Sequence, residues 1–187
     1  MRIALYDACV FYSGALRDLL LHLATAKAVH ARWSDEIHEE WIRSLLRNRP
    51  DLTRESLERT RLLMNQKFRS GRVKGYQHLI DGLRLPDPND RHVLAAAIWA
   101  KASYIVTYNL DDFPSSTLAP YKIETLTPDE FVLRLIRNNS EVVVRAVKDH
   151  RARLSRPPKS VDEYLEALET QRLPKTVAFL REHRNEI

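Results

Sequence analysis

Glycine is scarce in this chain. The four glycines, at positions 14, 71, 75 and 82, form no GxGxxG, GxxxxGK or GxSxG pattern. Dinucleotide, P-loop and nucleophile-elbow sites need glycine where the backbone must approach a phosphate or turn sharply, so those three chemistries are excluded. Cysteine occurs once, at Cys9. A lone thiol can neither close an internal disulfide nor build a thiolate zinc site. Long apolar runs are also missing: residues 93–100 fall far short of the roughly 18 that a membrane helix needs, so no membrane partner is expected. At the N-terminus, Ile3-Ala4-Leu5-Tyr6 is broken by Asp7 before the core of a signal peptide can form, which makes the cytoplasm the expected location. His38-Glu39-Glu40-Trp41-Ile42 begins like a zincin helix but has isoleucine where the second histidine must stand. Asp7-Ala8-Cys9-Val10 likewise lacks the second aspartate of an aspartyl-phosphate enzyme.

The rest of the composition is that of a folded protein. Of 187 residues, 44% are hydrophobic and 29% charged, which suits one domain plus an appendage and argues against disorder. The net charge of +5 is unevenly spread. Between Arg43 and Lys74 ten Lys/Arg face three acids, which predicts a basic surface suited either to solvent or to a nucleic-acid backbone.

Periodicity predicts a strand over 3–6 and an apolar helix over 16–28. Ser34 caps a predicted helix to about residue 48, with Ile37, Trp41 and Leu45 as its core stripe. Pro50 stops it, and Thr53 opens another to about residue 68, closed by Gly71. Asp87-Pro88-Asn89-Asp90 reads as a helix entry with Asp90 in a capping box, followed by an apolar helix to residue 102. A strand over 104–107, a turn over 109–112 and a weaker strand over 122–126 complete an α/β pattern with a mostly parallel sheet. Beyond Thr127 only helices are expected, over 129–137, 141–154, 161–170 and 174–183. Arg156-Pro157-Pro158-Lys159 divides them, and Ser160 with Glu163 makes a capping box. The expected division is a domain over 1–126 and a helical extension over 127–187 that packs on it without supplying catalytic residues.

Several acids stand at element ends: Asp7 after the first strand, Glu40 on a helix, Asp90 at a helix start and Asp112 after a later strand. In an open parallel sheet, ligands gather at the carboxyl edge of the strands, so Asp7 should approach the 109–112 turn. Converging carboxylates raise one another's pKa and are relieved by a divalent cation; oxygen donors favour Mg²⁺ or Mn²⁺. Each acid also has a plainer reading as a cap, a turn former or a surface charge.

These residues resemble a family. Asp7 after the first strand, Ser34-x-x-Ile37-x-x-Glu40, Pro88-Asn-Asp90-Arg-His-Val-Leu-Ala-Ala-Ala97 and Ile105-Val-Thr-Tyr-Asn-Leu-Asp-Asp-Phe113 look like the four signature blocks of PIN domains. The extension, with Pro157-Pro-Lys-Ser-Val-Asp-Glu-Tyr-Leu165, is similar to that of a longer subgroup of VapC-type toxins. The resemblance implies a three-layer α/β/α fold and an Mg²⁺- or Mn²⁺-dependent endoribonuclease of single-stranded RNA, held in check by a cognate antitoxin and compatible with a homodimer. By matching position, Asp7, Glu40 and Asp90 are metal-binding and catalytic. The fourth place falls to Asn109 as a ligand or to Asp112 as a catalytic acid. Arg43, Arg47 and Thr107 are expected to contact substrate. Relatives commonly carry a hydroxyl or amide after the first aspartate, whereas Ala8-Cys9 here implies that a polar neighbour is missing. The competing readings are a PIN-fold protein-binding module with a vestigial site and a PIN-like nuclease for structured DNA.

Overall fold

The computed structural model describes residues 2–155 and 157–187, so Arg156 of the expected dividing segment lies outside the described residues. Strand β1 (Ile3–Tyr6) leads through a short α1 (Ala8–Tyr12) into α2 (Gly14–Thr25), β2 (His30–Arg32), α3 (Asp35–Asn48) and α4 (Arg54–Lys67). After an irregular stretch come α5 (Arg91–Trp99), β3 (Tyr104–Val106), α6 (Ser115–Leu118) and β4 (Glu124–Leu126). Then α7 (Pro128–Asn138), α8 (Ser140–Arg153), α9 (Val161–Thr170) and α10 (Pro174–Glu182) close the chain. The four strands form one sheet in the order β2-β1-β3-β4, and every pairing is parallel. Among the described residues no helix is long and apolar enough to cross a membrane.

A parallel sheet brings the ends of all its strands to one edge, and each connecting helix runs back against them. Helices α1 and α3, which follow β1 and β2, therefore begin at the carboxyl edge. So does α5, which precedes β3 and packs against β1 and β3. Side chains alternate along the strands: Tyr6 and Tyr104 meet Phe131 of α7 edge-on, each with ring centres about 6 Å apart (5.8 and 6.0 Å). One continuous hydrophobic cluster joins Leu5, Ile105 and Val93 to Phe131, Val143, Leu165 and Leu180, so the extension and the sheet share a core.

Several expectations need correction. The helix expected over 16–28 begins at Gly14, where Ser13 accepts the N–H of Leu16 as its cap, and stops at Thr25, and the short α1 that precedes it was not expected. Strand β2 is too short to show an alternation in the sequence. No capping box forms at 87–90 among the described residues: Asp87 Oδ1 accepts from Asn89 N at 2.8 Å and residues 88–90 make a 3-10 turn, which leaves the Asp90 carboxylate free. Lys101, at φ 53, ends the following helix before residue 102. Gly71 is not the left-handed cap of α4. It is a close approach instead, where an added Cβ would lie 2.8 Å from the Trp33 ring.

Candidate active site

At the carboxyl edge lies a cavity of about 520 Å³ lined by Asp7, Glu40, Asp90 and Asn109, among others. Asp7 arrives directly from β1, its N–H bonded to Val106 O at 3.1 Å. Its carboxylate is held from three sides. Ala8 N donates to Oδ1 at 2.6 Å, while Thr107 Oγ1 and Cys9 Sγ donate to Oδ2 at 2.7 and 3.2 Å. Burial is the largest influence on Asp7 and raises its pKa, against the pull of these donors. The expected gap after the first aspartate is thus filled by Cys9, whose thiol is pushed by burial and the Asp7 charge up to about 12 and stays protonated to donate.

Glu40 comes from α3, which Ser34 caps through Ile37 N, and lies one place before the buried Trp41. His92, one turn into α5, meets Glu40 at 2.8 Å. Burial pulls the His92 imidazole down, but the hydrogen bond and the charges of Glu40, Glu36 and Asp7 outweigh it and leave the pKa raised. The Asp90 carboxyl is perturbed as well. Burial first, then the charges of Asp7, Asp112, Asp87 and Glu40, push its carboxyl up to about 7.

The other expected residues divide. Asp112 acts on Asp90 through its charge but does not line the cavity. Arg43 lines an adjoining hollow with Glu40 and His92, whereas Arg47 lies outside both. Thr107 is fully buried and cannot meet substrate; its hydroxyl positions Asp7 instead. The basic segment is also less free than its composition implies, since Arg49 pairs with Asp51, Arg54 with Glu39 and Glu58, Arg61 with Asp35, Glu39 and Glu58, and Arg72 with Asp35. Not expected from the sequence are Cys9, His92 and Tyr108, together with Thr170, Gln171 and Arg172 of the extension. His92 carried a usable signal, a histidine two places after Asp90 in an otherwise apolar helix. The three from the extension carried none.

The donor set suits a hard divalent cation: carboxylate and amide oxygens line the cavity, and burial together with neighbouring negative charge raises the Asp90 carboxyl. Among the described residues no three His, Cys, Asp or Glu side chains already converge as an ion site. The fit therefore rests on donor chemistry and charge.

A parallel α/β sheet with an acidic cavity at its carboxyl edge defines the class, and residues 4–111 match the PIN domain family. The chain belongs to the PIN-domain family. Residues 128–182 match the VapC50 C-terminal domain family. Over 59 residues the chain is 49% identical to a Mycobacterium tuberculosis protein named "Putative ribonuclease VapC50", a match spanning 32% of this chain and 34% of that relative. No solved structure matches the chain.

Proposed function

We propose that this chain is a divalent-metal-dependent endoribonuclease of single-stranded RNA and the toxin of a toxin–antitoxin pair. Its cation would be Mg²⁺ or Mn²⁺, and its activity would be restrained by a cognate antitoxin protein. The observation that carries the reading is the meeting of Asp7, Glu40 and Asp90 at one cavity, where burial and then the neighbouring acids push the Asp90 carboxyl up to about 7. Family membership and the name of the similar mycobacterial protein support the nuclease chemistry. In this reading Asp7, Glu40 and Asp90 hold the cation with Asn109 as a neutral oxygen donor, and Asp112 adds charge beside them. Bound there, a divalent ion would activate water and offset charge building on the phosphate.

The protein side chains orient this site. Thr107, Cys9 and the Ala8 N–H fix the Asp7 carboxylate, and His92 fixes Glu40. Arg43, in the adjoining hollow, would offer a phosphate contact, and Arg47 one turn further along α3 would extend it away from the cavity. The nuclease segment is assigned to 1–126 and the extension to 127–187. The test is cleavage of a labelled single-stranded RNA with and without Mg²⁺ or Mn²⁺. Cleavage that needs the ion and vanishes in Asp7→Asn is the expected result, and ion-independent or absent cleavage would overturn the reading.

A further inference from the structure

The turn between α9 and α10 brings a cation of the extension to the acid cavity. Thr170, Gln171 and Arg172 line that cavity together with Asp7, Glu40 and Asp90. Gln171 caps α9, and Arg172 turns the chain back in the left-handed conformation at φ 60. The turn is fastened on three sides. Tyr108 Oη donates to Gln171 O at 2.8 Å, and the Ser13 hydroxyl donates to Gln171 Oε1. Buried Asp129 accepts the N–H groups of Lys175 and Thr176 at 3.0 and 2.8 Å, where α10 begins. The backbone that carries Arg172 is thereby tied to β3's trailing loop, to the start of α2 and to α7.

The Arg172 guanidinium lies 4.7 Å from the centre of the Tyr108 ring, and Tyr108 adjoins Asn109. Stacking of this kind keeps a guanidinium plane oriented while leaving its N–H edge open. Unlike Arg54, Arg61 and Arg72, Arg172 has no carboxylate partner among the described residues. A planar cation held at the mouth of an acidic cavity, with its donors unspent, matches one ligand chemistry, the oxyanion of a phosphodiester. It also answers an electrostatic need, because a cluster of carboxylates alone repels a polyanion.

We propose that Arg172, oriented by Tyr108, binds a backbone phosphate of the single-stranded RNA at the entrance to the acid cavity, so that the extension completes the substrate site. This inference rests on the ribonuclease reading above. The test uses the full chain in an Asp7→Asn background, which removes cleavage, and follows binding of a fluorescein-labelled single-stranded RNA by anisotropy across a salt series. Arg172→Gly deletes the side chain while suiting the left-handed backbone. It is expected to weaken binding several-fold and to reduce the slope of log Kd against log salt by about 0.7, the value for one single-strand phosphate contact. Arg172→Lys keeps the charge but not the planar fork, so it should restore the slope and only part of the affinity. Thermal melting of each variant confirms the fold. If the Asp7→Asn chain binds RNA and Arg172→Gly leaves both affinity and slope unchanged, the inference is overturned while the ribonuclease reading stands. If the Asp7→Asn chain and the unsubstituted protein both fail to bind RNA, both fall together.

Discussion

Burial and the charges of Asp7, Asp112, Asp87 and Glu40 push the Asp90 carboxyl up to about 7. Its pKa is raised from 3.8, so between that value and about 7 the folded protein holds a proton that the unfolded chain has released. Stability of the metal-free protein therefore falls as pH rises through this window. Asp90→Asn should melt higher than the parent at pH 8 in the presence of chelator and close to it at low pH; equal melting at pH 8 would count against the crowding. Protons and the cation compete for the same oxygen, so affinity for Mn²⁺ should fall by about tenfold per pH unit below pH 7, measurable by calorimetric titration. Thr107 acts one step further out. Thr107→Val keeps the volume and removes the donor to Asp7, which should lower metal affinity about 10- to 100-fold without unfolding the chain, whereas Thr107→Ser should restore most of it.

At the scale of the element, α3 joins a core stripe to the face proposed to serve the site. Ile37, Trp41 and Leu45 are buried, and Glu40, Arg43 and Arg47 follow one another at helical spacing beside them. Arg43 and Arg47 make no ion pair among the described residues, in contrast to Arg54 and Arg61 of α4. Replacing both with alanine should weaken RNA binding and flatten its salt dependence by about 0.7 per lost contact while leaving metal affinity unchanged. The loop after α4 is set by a different constraint. Trp33 exchanges backbone hydrogen bonds with Gly71 O (3.0 Å) and Val73 N (2.8 Å), and its ring fills the space where a Cβ at position 71 would stand. Gly71→Ala should cost about 1–3 kcal/mol in chemical denaturation, the usual penalty for overpacking, with no direct effect on the acids.

Across the whole molecule, the extension is part of the core of the protein. Phe131 packs on Tyr6 and Tyr104 of the sheet, and α8 packs on α2. Phe131→Ala should therefore destabilise the entire chain by about 3–5 kcal/mol in a single transition; two separate transitions would mean that sheet and extension fold independently. Local signals carried much of this architecture. The strand over Ile3–Tyr6, the Ser34 and Thr53 caps, the Ser160 capping box and the parallel α/β class are legible because caps and periodicities act within a turn or two of chain. That Asp7 and Asp90 lie near one edge was legible for a similar reason, since the carboxyl edge of a parallel sheet is a place that topology specifies. What only the tertiary structure decided depends on contacts far apart in sequence. Thr107 turns inward to Asp7 across 100 residues, and Cys9 stands as the polar neighbour of Asp7 where the sequence implied none. Arg172 reaches the cavity only because a bond from Tyr108 and the Asp129 cap hold the α9–α10 turn against it. Such placements follow from how helices pack on the sheet, a sum of many weak contacts that no short window of sequence contains.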